Sequence, residues 1–497
     1  MLSVRAVLLL AALAACTRPV CAARQPVEPI RALAVAGDGV HLAVNERATF
    51  MCGVTGGLVG GQDDPAYFSN SDPEPDFAAY ASALRDAGVN LVRVNGTSMA
   101  EGAGRVGGAN TLPGEEPLGH PPEAPYTRRP WARSDQGIAW DGLPRYDLGA
   151  FDTWYFDRLN SFVATMNDNG IAVEFTFFHQ SCVAESFTNW ADSPWRPENN
   201  TSSLGLPSRE DAYPAFFSLQ NTALVEAQKA YVDQCVSVLR QHAGVLYCVV
   251  DGYNGPSPWV EHWAKHIRDL LAPAGQPVVS VGAALDCTRM LTQGKSVDCF
   301  HASCFGLLPD GKLCTPPSQE DVAAGGFCGD EFFSGPAVDA TVAHLLGQRP
   351  APYVTHGDDS VDSYLRALAA GSAGRCHRGS SPSDESRGAD AAVGGVLARV
   401  GDLTGWTPRR DMLRGGKGLC LARPGTGCVL YVTDKNGAKA DLPAVLGAYT
   451  VEWRHPMTGE WLPGGSIAGG KVLPLEVPVP VPAVAVLMRQ AAEPGVS

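Results

Sequence analysis

The spacing of apolar positions along this chain changes several times, and the changes mark its elements. Between about residues 45 and 375, short and nearly continuous apolar runs alternate with stretches whose apolar residues recur every three or four positions. These are the patterns of buried strands and amphipathic helices. Ala48 to Val54 (ATFMCGV) predicts a first strand. Asp76 to Asp86 predicts a helix stopped by Gly88, and Val89 to Asn95 (VNLVRVN) a second strand. The unit repeats over Phe151 to Asn169, where Phe156, Leu159, Phe162, Val163 and Met166 share a face. Gly170 stops that helix, and Ile171 to Phe178 (IAVEFTFF) follows as the third strand. A long helix, Asn221 to His242, leads into a fourth strand over Val245 to Asp251 (VLYCVVD). Shorter strands are expected at Pro277 to Ala283, Val297 to Ser303 and Pro352 to His356. Leu365 to Ala373 is the one place left for an eighth.

Strands that are apolar along their whole length are covered on both faces, as in parallel sheets flanked by helices. Seven or eight such units favour an α/β fold of the (β/α)8 TIM barrel type over an open doubly wound sheet. No Gly-x-Gly-x-x-Gly follows the first strand, so nothing supports a dinucleotide cofactor. Two long polar segments, Glu101 to Gly149 and Gln180 to Ser218, follow strands two and three. In a barrel both reach the C-terminal face, where chemistry sits. Past Gly415 the helical period disappears. LCLARPG, CVLYVTD, YTVEWRHPMTG and VLPLEVP alternate and are separated by turns, which predicts a small antiparallel β-sandwich over 415–491. The barrel is expected over 24–400, with the polar run Arg378 to Ala391 as a loop or linker.

Composition narrows the partners. A chain of 497 residues, 45% hydrophobic, can build two or three domains. A net charge of -14 without a basic run argues against nucleic acid and against an anionic membrane surface. Residues 1–23 read as a signal peptide, with Arg5 as its basic flank and Val7 to Ala15 too short to span a bilayer. Leu13-Ala14-Ala15-Cys16 fits a bacterial lipobox, which would leave a lipid anchor on Cys16; cleavage near Ala22 or Ala23 would give free secretion. No later stretch is long and apolar enough to cross a membrane. Setting aside Cys16 and Cys21 leaves twelve of the fourteen cysteines, a count that suggests disulfides in a secreted protein. Cys287, Cys299, Cys304, Cys314 and Cys328 cluster without the paired spacing of a zinc site, so no metal is expected. Cys420 and Cys428 flank a turn and could face each other across a hairpin; a buried free thiol is the alternative for each. No cofactor is expected, and the chain reads as a monomer.

Several stretches together resemble clan A glycoside hydrolases, the cellulase-like secreted barrels that carry a C-terminal β-sandwich of the type named for collagen binding. They are SPWRPENN (Ser193 to Asn200), LQNTALVEAQKAYV, VLYCVVDGYN, PWVEHWAKHI, FHAS (Phe300 to Ser303), LCLARPG and VEWRHPMTG. The resemblance implies a carbohydrate partner and hydrolysis of a β-linked poly- or oligosaccharide. It also implies a site at the strand ends: Arg93 on strand two, His179 ending strand three, Asn254 after strand four, and His301 on strand six. The family's two catalytic glutamates fall on Gly252 and Ser360. Such a hydrolase needs two carboxyl groups, about 5–5.5 Å apart for retention and about 6.5–9.5 Å for inversion. Asp251, Asp358 and Asp359 are the nearby substitutes. Trp190, Trp195 and Trp259 are candidates for stacking on sugar rings, and Asn199 and Asn200 for bonding hydroxyls. Two readings remain: a hydrolase using Asp251 with Asp358 or Asp359, and a catalytically inactive barrel that binds glycans.

Overall fold

The computed structural model describes residues 27–55, 76–96, 129–140, 142–179, 183, 190, 193–206, 209–251, 253, 255–275, 277–283, 296–302, 352–354, 360–378, 383–414, 417–434, 439–441, 447–470 and 472–490. Eight parallel strands form its central sheet: β1 (Met51–Thr55), β2 (Leu91–Asn95), β3 (Ala172–His179), β4 (Val245–Asp251), β5 (Val278–Ala283), β6 (Cys299–Ala302), β7 (Pro352–Val354) and β8 (Gly374–Arg378). Hydrogen-bonded neighbours run β6-β5-β4-β3-β2-β1-β8-β7. The sheet curls until β6 and β7 come within 8 Å of each other. This is the expected (β/α)8 barrel.

Helices cover the outside. They are α1 (Phe77–Asp86), α2 (Thr153–Asp168), α3 (Arg209–Phe216), α4 (Thr222–Leu239), α5 (Ser257–Leu271), α6 (Val361–Ala370) and α7 (Asp384–Val400). Their starts are written in the sequence: Asp76, Asp152, Asn221, Ser360 and Ser383 each accept a first-turn backbone N–H. Gly88 and Gly170 follow α1 and α2 at φ +85° and +74°, a left-handed conformation that glycine adopts without strain.

Alternation along the strands separates two surfaces. Val92, Val94, Val173, Phe175, Tyr247, Val279 and Val281 join the core beneath the helices. Met51, Leu91, Ala172, Leu246, Val278 and Ala373 point inward and form an apolar floor. Ile30, Leu33 and Leu42 of a three-stranded N-terminal meander close that floor from below. The meander was not anticipated, because its three-residue strands are too short to show a period.

Two predicted elements are corrected. Leu365 to Ala373 is not the eighth strand: it falls largely in α6, as its three- and four-residue spacing suits. The eighth strand is GRCHR, whose Arg375 lies buried against the ring of Tyr364 at 5.1 Å. The polar run Arg378 to Ala391 is not a linker either, because α7 begins at Asp384 inside it. The two long loops also hold structure: a hairpin, Trp131–Ile138 with Pro144–Phe151, and α3.

The C-terminal part is antiparallel. A six-stranded sheet includes Lys417–Arg423, Gly427–Asp434, Ala448–Arg454, Trp461–Ala468 and Ala483–Arg489, and a three-stranded sheet accompanies it. One face carries Cys420, Cys428, Leu430 and Trp453 into the sandwich's own core. The other sends Leu419, Leu421, Val429, Tyr431, Val484 and Val486 into the core shared with the barrel helices. Tyr431 Oη donates to Asp362 of α6 at 2.5 Å, and Arg399 of α7 pairs with Glu452 at 3.1 Å. The sandwich is therefore fused to α6 and α7.

The disulfide expectation is not met among the described residues. Cys52, Cys235, Cys248, Cys299, Cys376, Cys420 and Cys428 are buried free thiols. Cys420 and Cys428 do lie near each other: Cys420 pairs with Leu430 and Ala422 with Cys428, which makes the two cysteines diagonal neighbours. Cys287, Cys304, Cys314 and Cys328 lie outside the described residues, as do residues 1–23 and Cys16. No described helix is long and apolar enough to cross a membrane.

Candidate functional site

One layer above the apolar floor, the barrel interior turns polar. The strand register sets Arg93 of β2 beside Glu174 of β3, and Thr176 of β3 beside Cys248 of β4, which in turn pairs with Ser280 of β5. Each lies two residues beyond a floor residue or in register with one that does, so pleating turns them inward as well. Glu174 is fully buried, and Arg93 is 4% exposed. Their charges are satisfied by direct bonds. Arg93 Nε donates to Glu174 Oε2 at 3.0 Å, and Ser280 Oγ donates to Glu174 Oε1 at 2.7 Å. A charge this deep is tolerated because it is paired and hydrogen-bonded.

The same arginine reaches up to the mouth. Its Nη2 donates to Asp251 Oδ2 at 2.7 Å. His179 Nε2 lies 3.8 Å from the same oxygen, near but beyond hydrogen-bond range. The register pairs His179 directly with Asp251 across β3 and β4. Their side chains are 15% and 24% exposed, so a ligand can reach them. Gly282 on β5 makes room: a Cβ there would sit 1.9 Å from Asp251 Oδ1.

The electrostatics fix the roles of the neighbours. Burial alone would lower the affinity of Arg93 for its proton. The carboxylates of Asp251 and Glu174 more than reverse this, and it stays charged. Three thiols share the interior. Burial pushes Cys248 and Cys299 well above the ordinary range, with Glu174 adding to it, and Cys376 up to about 12. All three are neutral at physiological pH and poor nucleophiles. Asp251 meets this cation as a hydrogen-bond acceptor at the mouth of the barrel.

Of the residues singled out in the sequence, the structure brings Arg93, His179 and Asp251 together. Trp190, Trp195 and Trp259 are instead spent inside the wall, at 2%, 1% and 1% exposed. Trp195 packs edge-on against Trp131 at 4.9 Å and Phe216 at 5.4 Å; Trp259 does so against Phe217 and Phe178 at 4.9 and 5.2 Å. None of these three rings has a face left for a sugar. Asn199 and Asn200 are 1% and 2% exposed and hold the loop. Asn199 accepts from Trp140 N and donates to Ser193 O; Asn200 donates to Pro194 O and Arg196 O. Ser360 caps α6 through Ser363 N. His301 lies on β6 opposite Gly282, with its side chain outside the described set. Asn254, Asp358, Asp359 and Gly252 also lie outside the described residues. Glu174, Ser280 and Gly282 were missed, although Glu174 is the single charge in the apolar strand IAVEFTFF.

Comparison with known proteins supports the fold. Residues 122–293 match a family model described as a domain of unknown function, DUF6298. No match is found among curated proteins. A solved structure titled "Glycoside hydrolase" matches at TM-score 0.55 and 11% identity, covering 93% of this chain and 98% of that one. A glycoside hydrolase family 5 protein from Bacteroides vulgatus ATCC 8482 matches equally, at TM-score 0.55 and 11% identity, with 92% and 94% covered. An endo-beta-1,4-mannanase from Thermotoga petrophila matches at TM-score 0.41 and 10% identity, over 90% of this chain and 98% of its own. Over most of its length, the chain shares its barrel-plus-sheet fold with the family 5 glycoside hydrolases.

Proposed function

We propose that this chain is a secreted glycoside hydrolase that cleaves a β-linked poly- or oligosaccharide at the C-terminal mouth of its barrel. The observation that carries the reading is the Arg93–Asp251 pair. It presents a solvent-accessible carboxylate, bonded at 2.7 Å, at the end of β4. In that paired state Asp251 suits a base that activates water, or an attacking group, better than a proton donor. A second carboxyl group must then supply the proton. Asp358 and Asp359, which follow β7, are the candidates. A separation of about 6.5–9.5 Å would make the enzyme inverting. His179 lines the sugar's approach, and Arg93 behind it holds Asp251. The N-terminal pattern over residues 1–23 supports secretion.

The second reading, a glycan-binding protein without turnover, is favoured by the engagement of Asp251 with Arg93. The two separate in one experiment. The mature protein is incubated with aryl glycosides and β-linked polysaccharides beside the Asp251→Asn, Asp358→Asn double variant. Sugar release lost in the variant supports the hydrolase. Binding without release supports recognition.

A further inference from the structure

Arg93 divides itself between two carboxylates. Its Nε serves Glu174 and its Nη2 serves Asp251, at 3.0 and 2.7 Å, so neither acid receives the paired grip that a guanidinium can give. Ser280 anchors the far oxygen of Glu174 at 2.7 Å. We infer that Glu174 is a positioning residue acting through Arg93: it fixes one edge of the guanidinium and shares its charge, so Asp251 meets an immobile, half-neutralised cation. This deepens the proposed site and rests on Asp251 being its working carboxylate.

The surroundings leave this role to Glu174. The titratable groups described around Asp251 are Arg93 from β2, Glu174 and His179 from β3, Cys248 from β4 and Cys376 from β8. The two thiols are neutral, and Cys299 of β6, beside Ser280, is neutral as well. Glu174 is thus the described anion that competes with Asp251 for Arg93. With Glu174 neutral, the whole cation would act on Asp251. A base tied to an uncompensated arginine accepts a proton less readily. The shared arrangement keeps Asp251 in place without removing its basicity.

Glu174→Gln tests this, because it keeps shape and hydrogen-bonding capacity and removes the charge. The readout is the titration of Asp251, followed by carboxyl 13C NMR on aspartate-labelled protein and assigned with Asp251→Asn. Across Arg93 the two carboxylates lie roughly 8 Å apart, which at an effective dielectric near 20 predicts a midpoint lower by about one and a half pH units. Ser280→Ala removes a bond to Glu174 but no charge, and its midpoint is expected to stay put. Where hydrolysis is measurable, the acid limb of kcat/KM moves with the midpoint in Glu174→Gln. An unmoved midpoint in a folded Glu174→Gln protein overturns the inference. If that variant does not fold, Glu174→Asp keeps the charge but withdraws it from Arg93. A smaller shift in the same direction is then expected, and none overturns the proposal. The NMR reading needs no turnover, so an inactive protein would count against the hydrolase and leave this inference to be judged on its own.

Discussion

Replacing Arg93 with methionine tests the interior charge layer most severely. The substitution keeps most of the side chain's volume and deletes two charge-assisted hydrogen bonds, to Glu174 and to Asp251. Asp251, partly exposed, can recover water. Glu174 cannot, because it is fully buried and loses its bonded cation while keeping the bond from Ser280. Breaking a buried pair by removing one member costs about 3–5 kcal/mol, mostly from the stranded charge. The double variant Arg93→Met, Glu174→Met removes that charge too. It leaves the Ser280 hydroxyl without its acceptor, at about 1–3 kcal/mol. The double variant should therefore be more stable than the single one. Urea unfolding at pH 7, followed by far-ultraviolet circular dichroism and tryptophan fluorescence, measures both. A single variant losing under about 1 kcal/mol, or a double variant less stable than the single, would refute the reasoning.

Other consequences follow from the same geometry. Gly282→Ala places a methyl group against Asp251 Oδ1, so sugar binding or turnover should fall at least about tenfold while the fold survives, since such overpacking costs typically 1–3 kcal/mol. Trp259→Ala should destabilise by about 3–5 kcal/mol and leave the affinity of the folded fraction for sugar unchanged, because the ring is core and not platform. Truncation after Arg414 should give insoluble protein, since it strips Leu421, Val429, Tyr431 and Val486 from the core shared with α6 and α7. Asp38 is also informative about pH. Burial opposes its ionised form, but His41 and two backbone N–H groups hold it well below the usual carboxylate range. A depressed folded-state pKa stabilises above the unfolded value near 3.9 and is lost as pH falls below it. Asp38→Asn should thus cost about 1–2 kcal/mol at pH 7, with the gap to the wild-type protein narrowing below about pH 4.

The barrel was legible because burial on two faces writes itself as apolar runs. The fourth strand, Val245 to Asp251, was read without error, and α1 within a residue. The eighth strand was not, because GRCHR carries two arginines, a histidine and one apolar side chain. Arg375 looks outward to Tyr364, a tertiary arrangement that no local period records. α7 was hidden by the polar first turn after its Ser383 cap. At the site, Arg93, His179 and Asp251 were named from the family resemblance, and the register brings the three side chains near one another. The tryptophans misled because ring type does not say which way a ring faces. Trp195 and Trp259 are needed to fill the space outside β3 and β4. Glu174 stood in plain view, but its meaning depends on a partner 81 positions away.

The most direct measurement is the rate of sugar release by Asp251→Asn beside the wild-type protein, on whichever β-linked substrate the wild type turns over fastest, with sugar affinity measured in parallel. Asparagine keeps the size and the bond from Arg93 and loses the ability to take a proton. The account predicts that release falls by about 10² or more while affinity changes little. Equal release from both proteins, or binding in both with release from neither, would contradict it.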